Sequence, residues 1–326
     1  MGVIKLIQNI DNTPKEPYYK EHYYCDYVEI LALINNKDIV SISDIYDRFK
    51  ESIDMQENND LQIDENPNDP PINENSDDKW RNRIQEWFDN IASRNVAFNN
   101  FYPFVVKDNN IQLKNPLTDC HKLYIFLLLS ASQKYINTTG NTLSEDFEKV
   151  SLVALKNYLP NNAISHIFGT KSDRYIGTLE DKITRLAGDL KYRIKTNDFK
   201  SNNTGDAGLD LVAWLSFSND DNQNNMQIFL AQCATGKQWG NKQHETKKIT
   251  NHYIDFKSEA NYTFFMPYDC RNADRNFAEE NIIFDGLFFD RIRILYLLKN
   301  EIDKIMNFAS FNSIVDYAIS YEEEIV

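Results

Sequence analysis

Asp210 and Gln232 are the residues whose types and spacing could do chemistry. Residues 205–239 read GDAGLDLVAWLSFSNDDNQNNMQIFLAQCATGKQW. Two apolar runs, 209–217 and 226–233, flank a polar stretch of Asn, Asp, Ser and Gln, the pattern of a hairpin with a longer loop. Asp210 opens the first run directly after a Gly-rich bend, and Gln232 stands near the end of the second. A carboxylate and an amide oxygen held side by side on neighbouring strands offer hard oxygen donors to a cation such as Mg²⁺ or Mn²⁺. An ordinary hairpin with a capping Asp and a hydrogen-bonded Gln accounts for the same residues, so spacing leaves both readings open.

The bend GDAGLD, the run LVAW and the strand ending in Gln-Cys resemble the core of the PD-(D/E)xK nuclease superfamily. Within it the likeness is to the Mrr-like restriction endonucleases, whose motif runs G-D-x-G-x-D, an apolar strand and Q-x-K. It extends over roughly residues 144–300, with the hairpin as its specific part. The resemblance implies an α/β (α+β) fold with a restriction-endonuclease-like core, a central mixed sheet flanked by helices. It also implies a metal-dependent DNA endonuclease, the nuclease effector of a bacterial anti-phage or restriction system. In that reading Asp210 holds the cation with Gln232 or the Cys233 carbonyl, and Asp206 shapes the bend.

A helix preceding the hairpin would supply a further carboxylate. Glu180, thirty residues before Asp210, and Glu148, on an earlier amphipathic helix, compete for this role. The chain departs from the motif at the lysine, because Ala234 stands two residues after Gln232. Lys237 and Lys242 are the nearest lysines that could position or deprotonate the attacking water. Ala234 also motivates a second expectation, a catalytically impaired nuclease-like fold that binds nucleic acid or a protein partner. The partners implied are DNA, a companion defence protein (an ATPase, helicase or methyltransferase) and a second copy of the chain.

Other catalytic signatures are missing: the sequence contains no G-x-S-x-G, P-loop, H-E-x-x-H or G-x-G-x-x-G pattern. Four scattered cysteines, Cys25, Cys120, Cys233 and Cys270, form no C-x-x-C pair, which argues against zinc and a disulfide framework. No signal peptide opens the chain, and the apolar run 123–131 is far shorter than a membrane span, so a cytoplasmic location is expected. The net charge of −14 sits poorly with phosphate binding. However, ten acids and no Lys or Arg fall between Glu51 and Asp78, so most of that charge is local.

The elements that must position these residues follow from periodicity. Residues 24–35 place Tyr27, Ile30, Leu31 and Ile34 on one helical face, and Ser43 is the expected cap of a helix over 44–50. Residues 51–79 have the composition of a disordered or mobile insertion. Residues 80–94 carry Trp80, Ile84, Trp87, Phe88 and Ile91 as a buried stripe, with Arg81, Arg83 and Arg94 mostly off it. Two short runs, 104–106 and 111–113, flank the turn KDNN. Three helices and this two-stranded wing would form a winged helix whose recognition helix presents Arg81 and Arg83 to DNA. The same elements would also serve as a packing or dimerisation module.

Residues 121–136 are apolar nearly all round, with His121 as a capping or surface residue at their start. Two domains are expected, 1–136 and 137–326. In the second, helices over 145–159 and 179–191 bracket a strand near 164–168, and Thr178 with Asp181 supplies a capping box. Glu180 shares the face of Ile183 and Ala187 and so is expected to point inward. The basic stretch 237–257 bears Lys242, Lys247 and Lys248 beside Trp239 and Tyr253, a surface for backbone phosphates and bases. A strand over 262–266, a long helix through LFFDRIRILYLL within 282–298 and an acidic surface tail at 322–324 complete the chain.

Overall fold

A computed structural model describes residues 7–17, 20–35, 38–54, 76–137, 142–169, 171–195, 199, 203–217 and 225–321. The chain divides into two compact units. The first comprises Met1–Asn137, Cys270–Ala278 and Phe311–Val326; the second comprises Thr138–Asp269 and Glu279–Ser310. The expected undivided domain over 137–326 is therefore corrected, because two of its segments return to the first unit. Aromatic packing draws one of them there: Phe311 stacks on Phe126 with ring centroids 4.9 Å apart.

The first unit runs α1 (Glu21–Ile34), β1 (Val40–Ser41), α2 (Ile42–Asp54), α3 (Ser76–Phe98), β2 (Phe104–Lys107), β3 (Asn110–Leu113) and α4 (Asp119–Ala131). Its three strands form an antiparallel sheet in the order β1-β3-β2. Asp108 and Asn109 turn the β2–β3 hairpin with φ of 51° and 61°. This is the left-handed pair that a tight hairpin needs. The cap of α2 is Ser41, not Ser43. Ser41 Oγ accepts the Asp44 N–H at 3.3 Å while Asp44 Oδ2 accepts the Ser41 N–H at 2.7 Å. The reciprocal pair satisfies two backbone donors that a helix start leaves open.

Of the expected insertion over 51–79, residues 51–54 belong to α2 and residues 76–79 to α3. Residues 55–75 lie outside the described residues. Arg94 is also corrected. It follows Ile91 and Trp87 at helical spacing and so joins the inward stripe, where its Nη1 meets Asp26 at 2.7 Å and Glu29 at 3.0 Å. Tyr102 and Tyr124 donate to the same Glu29 carboxylate, at 2.9 and 2.9 Å. These bonds satisfy an otherwise costly buried charge. His121 caps α4, its Nδ1 accepting the Thr118 N–H at 3.1 Å.

The second unit is α+β, built on a five-stranded mixed sheet. It runs α5 (Thr142–Tyr158), β4 (Ala163–Ile167), α6 (Leu179–Leu190), β5 (Arg193–Ile194), β6 (Leu211–Leu215), β7 (Ile228–Cys233), α7 (Trp239–Lys242), β8 (Ile254–Asp255), β9 (Asn261–Phe265), β10 (Leu287–Phe289) and α8 (Arg291–Leu298). Strand order is β10-β9-β7-β6-β4. The β4-β6-β7 part is antiparallel, and β9 and β10 are added in parallel. β5 and β8 form a separate short ladder.

The period-two alternation of β6 and β7 sends Val212, Trp214, Ile228 and Leu230 to one face, where they pack with Ile183, Leu186, Ala187 and Leu190 of α6. Each buried Val, Ile or Leu among them contributes about 1.5–3 kcal/mol of transfer free energy. The expected Thr178–Asp181 box opens α6. The connection over 218–224, expected as a hairpin loop, lies outside the described residues, as does the expected acidic tail at 322–324. The helix expected through LFFDRIRILYLL is divided. Residues 287–289 form edge strand β10 against β9, and Asp290 caps a shorter α8 by accepting the Arg293 N–H at 3.2 Å.

Candidate metal centre

The Gly-rich bend aims Asp210. Asp206 Oδ1 accepts the Gly208 N–H at 2.8 Å, while Ala207 and Gly208 adopt φ of 56° and 81°. This is an Asx turn, in which an aspartate side chain takes the place of a backbone acceptor. Gly208 is required on two counts. Its φ is left-handed, and a Cβ there would fall 2.5 Å from the Glu245 Cβ. Beyond the bend, Asp210 is held from both sides. Its N–H donates to the Ala231 carbonyl at 3.0 Å, and its own carbonyl accepts from Phe168 and Gly169 at 2.7 and 3.1 Å. Its Oδ2 accepts the Cys233 N–H at 2.7 Å, so backbone and carboxylate together bracket Gln232.

Glu148, on α5, shares this place. A Cβ on Gly169 would meet Glu148 Oε2 at 2.9 Å and Asp210 Oδ1 at 3.6 Å. Both carboxylates thus converge on the open face of one glycine at the end of β4, room that any larger residue would fill. Two anions so placed resist ionisation. Burial and the neighbouring Asp210 charge push Glu148 up to about 8. Burial also pushes Asp210 up, to about 7. The Cys233 N–H and the Lys242 charge act against this, while Asp206 and Glu245 add to it. The pair titrates together, so its repulsion belongs to both groups. A cation between them would remove that repulsion.

Gln232 carries a further oxygen on the strand beside Asp210, between the Ala231 carbonyl and the Cys233 N–H that Asp210 engages. It is 4 % exposed, and its Nε2 donates to Glu245 Oε2 at 2.9 Å. Its Oε1 is buried with no hydrogen-bond partner. An orphaned buried acceptor costs about 1–3 kcal/mol, a cost that a hard cation would relieve. Cys233 gives its N–H to Asp210, and burial keeps its thiol protonated, so any donor it offers is the carbonyl oxygen. Two carboxylates, an amide oxygen and backbone carbonyls are a donor set suited to Mg²⁺ or Mn²⁺. Among the described residues no group of three or more His, Cys, Asp or Glu is arranged to hold a metal.

Not every expected residue comes to this place. Glu180 is corrected: it is exposed. The buried stripe of α6 is Leu179, Lys182, Ile183, Leu186, Ala187 and Leu190, and Glu180 stands at its rim in the first turn, where nothing covers it. Lys237 is exposed on the link between β7 and α7. Lys242, at the end of α7, is also exposed, and its charge reaches Asp210. Ala234 is 1 % exposed, so the motif's lysine position is a buried methyl. Lys247 lies over the Tyr262 ring, 5.5 Å from its centroid, and Lys248 Nζ pairs with Glu245 Oε1 at 3.6 Å. In the first unit, Arg81 lies over Tyr46 at 4.1 Å and Arg83 over Trp80 at 5.4 Å.

Sequence reasoning missed Glu245, Gly169 and Lys182. Glu245 sits in a Lys- and His-rich stretch with no periodic signal. Gly169 is marked only as a glycine ending a strand. Lys182 occupies an inward position of α6 and donates to the Thr204 and Gly205 carbonyls at 3.2 and 3.3 Å, securing the entry to the bend. Burial holds its pKa down, against the opposing charge of Asp206.

No family model, curated protein or solved structure matches the chain. Among the described residues, no helix is long and apolar enough to cross a membrane.

Proposed function

We propose that the second unit is a Mg²⁺- or Mn²⁺-dependent DNA endonuclease with a restriction-endonuclease-like core, acting as the nuclease effector of a cytoplasmic anti-phage or restriction system. The observation that carries this reading is the convergence of Glu148 and Asp210 on Gly169, with Asp210 bonded on either side of Gln232, whose buried side-chain oxygen lacks a partner. Glu148, Asp210 and Gln232 would hold the cation. Bound there, it would supply Lewis-acid polarisation of the phosphoryl group and a water acidified toward neutral pH. Lys242 is a cation whose charge reaches Asp210, and it would offset negative charge that grows on the phosphate in the transition state. Lys247 and Lys248 continue the basic surface along which a phosphate backbone would run.

In the first unit, the order helix–strand–helix–helix–strand–strand and the sheet β1-β3-β2 support a winged-helix reading. Arg81 and Arg83 near the start of α3 would be its DNA contacts. A companion ATPase, helicase or methyltransferase, and a second copy of the chain, belong to the same proposal. The buried Ala234 favours one alternative, a nuclease-like fold that binds nucleic acid or protein without cutting.

Incubation of supercoiled plasmid with the full chain and Mg²⁺, beside an Asp210→Ala control, tests the reading. Cleavage by the wild type alone supports it. Cleavage that persists in the control sinks the site assignment, and wild-type protein that binds DNA without cutting it favours the alternative.

A further inference from the structure

Glu245 belongs to no motif, yet it touches three parts of the centre. Its Oε2 accepts the Gln232 Nε2 at 2.9 Å, and Lys248 Nζ stands 3.6 Å from its other oxygen. The Gly208 bend packs directly on its Cβ. A glutamine amide is nearly isosteric about its last torsion, so its oxygen and nitrogen exchange places at little steric cost. An ionised carboxylate only accepts hydrogen bonds. Opposite Glu245, therefore, only the NH₂ branch of Gln232 can be placed, and the carbonyl branch must take the other direction, where it has no partner.

We infer that Glu245 is a positioning residue that orients the Gln232 amide so that its carbonyl oxygen, and not its NH₂ group, faces the cation site. Lys248 and the Gly208 bend hold Glu245 in place for this task. The inference rests on the cation-binding reading of the Asp210 site. It adds a requirement that the Q-x-K pattern does not contain: a glutamine in place of an acid is a dependable ligand only when something fixes which way its amide faces.

The test is Mn²⁺ affinity of the full chain, measured by electron paramagnetic resonance titration on wild type, Asp210→Asn, Glu245→Leu and Glu245→Gln, with thermal unfolding confirming that each is folded. Loss of an orienting partner behind a metal ligand weakens binding about tenfold or more, and Glu245→Leu is expected to do so. Glu245→Gln keeps an acceptor oxygen for the Gln232 NH₂ and is expected to stay within about threefold of wild type. Equal losses in the two Glu245 variants would mean that only charge matters and would overturn the inference. Glu245→Leu binding as tightly as wild type would also overturn it. If wild type and Asp210→Asn bind Mn²⁺ alike, the cation reading itself fails, and the inference with it. Should Glu245→Leu not fold, the Gln232 side-chain ¹³C carbonyl resonance of wild type decides: it is expected to shift on Mg²⁺ addition, and an unmoved resonance overturns the inference.

Discussion

Glu148→Gln is expected to stabilise the metal-free protein at alkaline pH. Glu148 is raised from its ordinary 4.5 to about 8, so between those values the folded state binds more protons than the unfolded chain. Stability is then fully present below about pH 4.5 and is lost progressively as pH rises through about 8. Each tenfold change in proton affinity corresponds to about 1.4 kcal/mol, so the whole displacement approaches roughly 5 kcal/mol. Glu148 is half-buried, so solvent screens the repulsion, and about 2 kcal/mol is the expected gain at pH 8.5. Gln removes the titrating charge while keeping the shape. Urea unfolding in EDTA at pH 5.5 and 8.5 measures the effect. The wild type should lose stability between the two values, and the variant should lose less. Added Mg²⁺ should restore the wild type at pH 8.5 and leave the variant unchanged. Equal pH dependence in the two proteins would refute the claim that the two carboxylates repel each other in one pocket.

Three further outcomes follow from the geometry. Gly208→Ala places a methyl 2.5 Å from the Glu245 Cβ at a left-handed φ. It should cost about 1–3 kcal/mol of stability and weaken Mn²⁺ binding together. Arg94→Leu removes the guanidinium that meets Asp26 and Glu29. It should destabilise the first unit by about 3–5 kcal/mol, read by urea denaturation. Lys242→Met should lower plasmid cleavage at least about tenfold while leaving Mn²⁺ affinity nearly unchanged, as expected of a residue that acts on the phosphate. Cleavage at the wild-type rate would remove Lys242 from the mechanism.

Local signals carried a large part of this fold. The β6–β7 hairpin is written in its alternation and in the Gly-rich bend, and the caps at Thr178 and His121 depend on residues three apart. The turn Asp108–Asn109 is equally local. What depends on distant chain was not legible. Glu148 and Glu180 look alike along their helices, and only the crossing of α5 over the end of β4 separates them. LFFDRIRILYLL has enough apolar residues for one helix, but pairing with β9 turns Leu287–Phe289 into a strand. Arg94 reads as a surface residue until Asp26 and Glu29 are brought against it. Glu245 could not be found from spacing, because its role is defined by one hydrogen bond to a strand thirteen residues earlier.

The central claim is that Glu148 and Asp210 together form a cation centre for phosphodiester hydrolysis. Plasmid cleavage in Mg²⁺ by Glu148→Gln and Glu180→Gln tests it most directly. Glu148→Gln should fall by about a hundredfold or more, as removal of a transition-state stabilising group does, and Glu180→Gln should match wild type. Loss of cleavage in Glu180→Gln with full activity in Glu148→Gln would contradict the account.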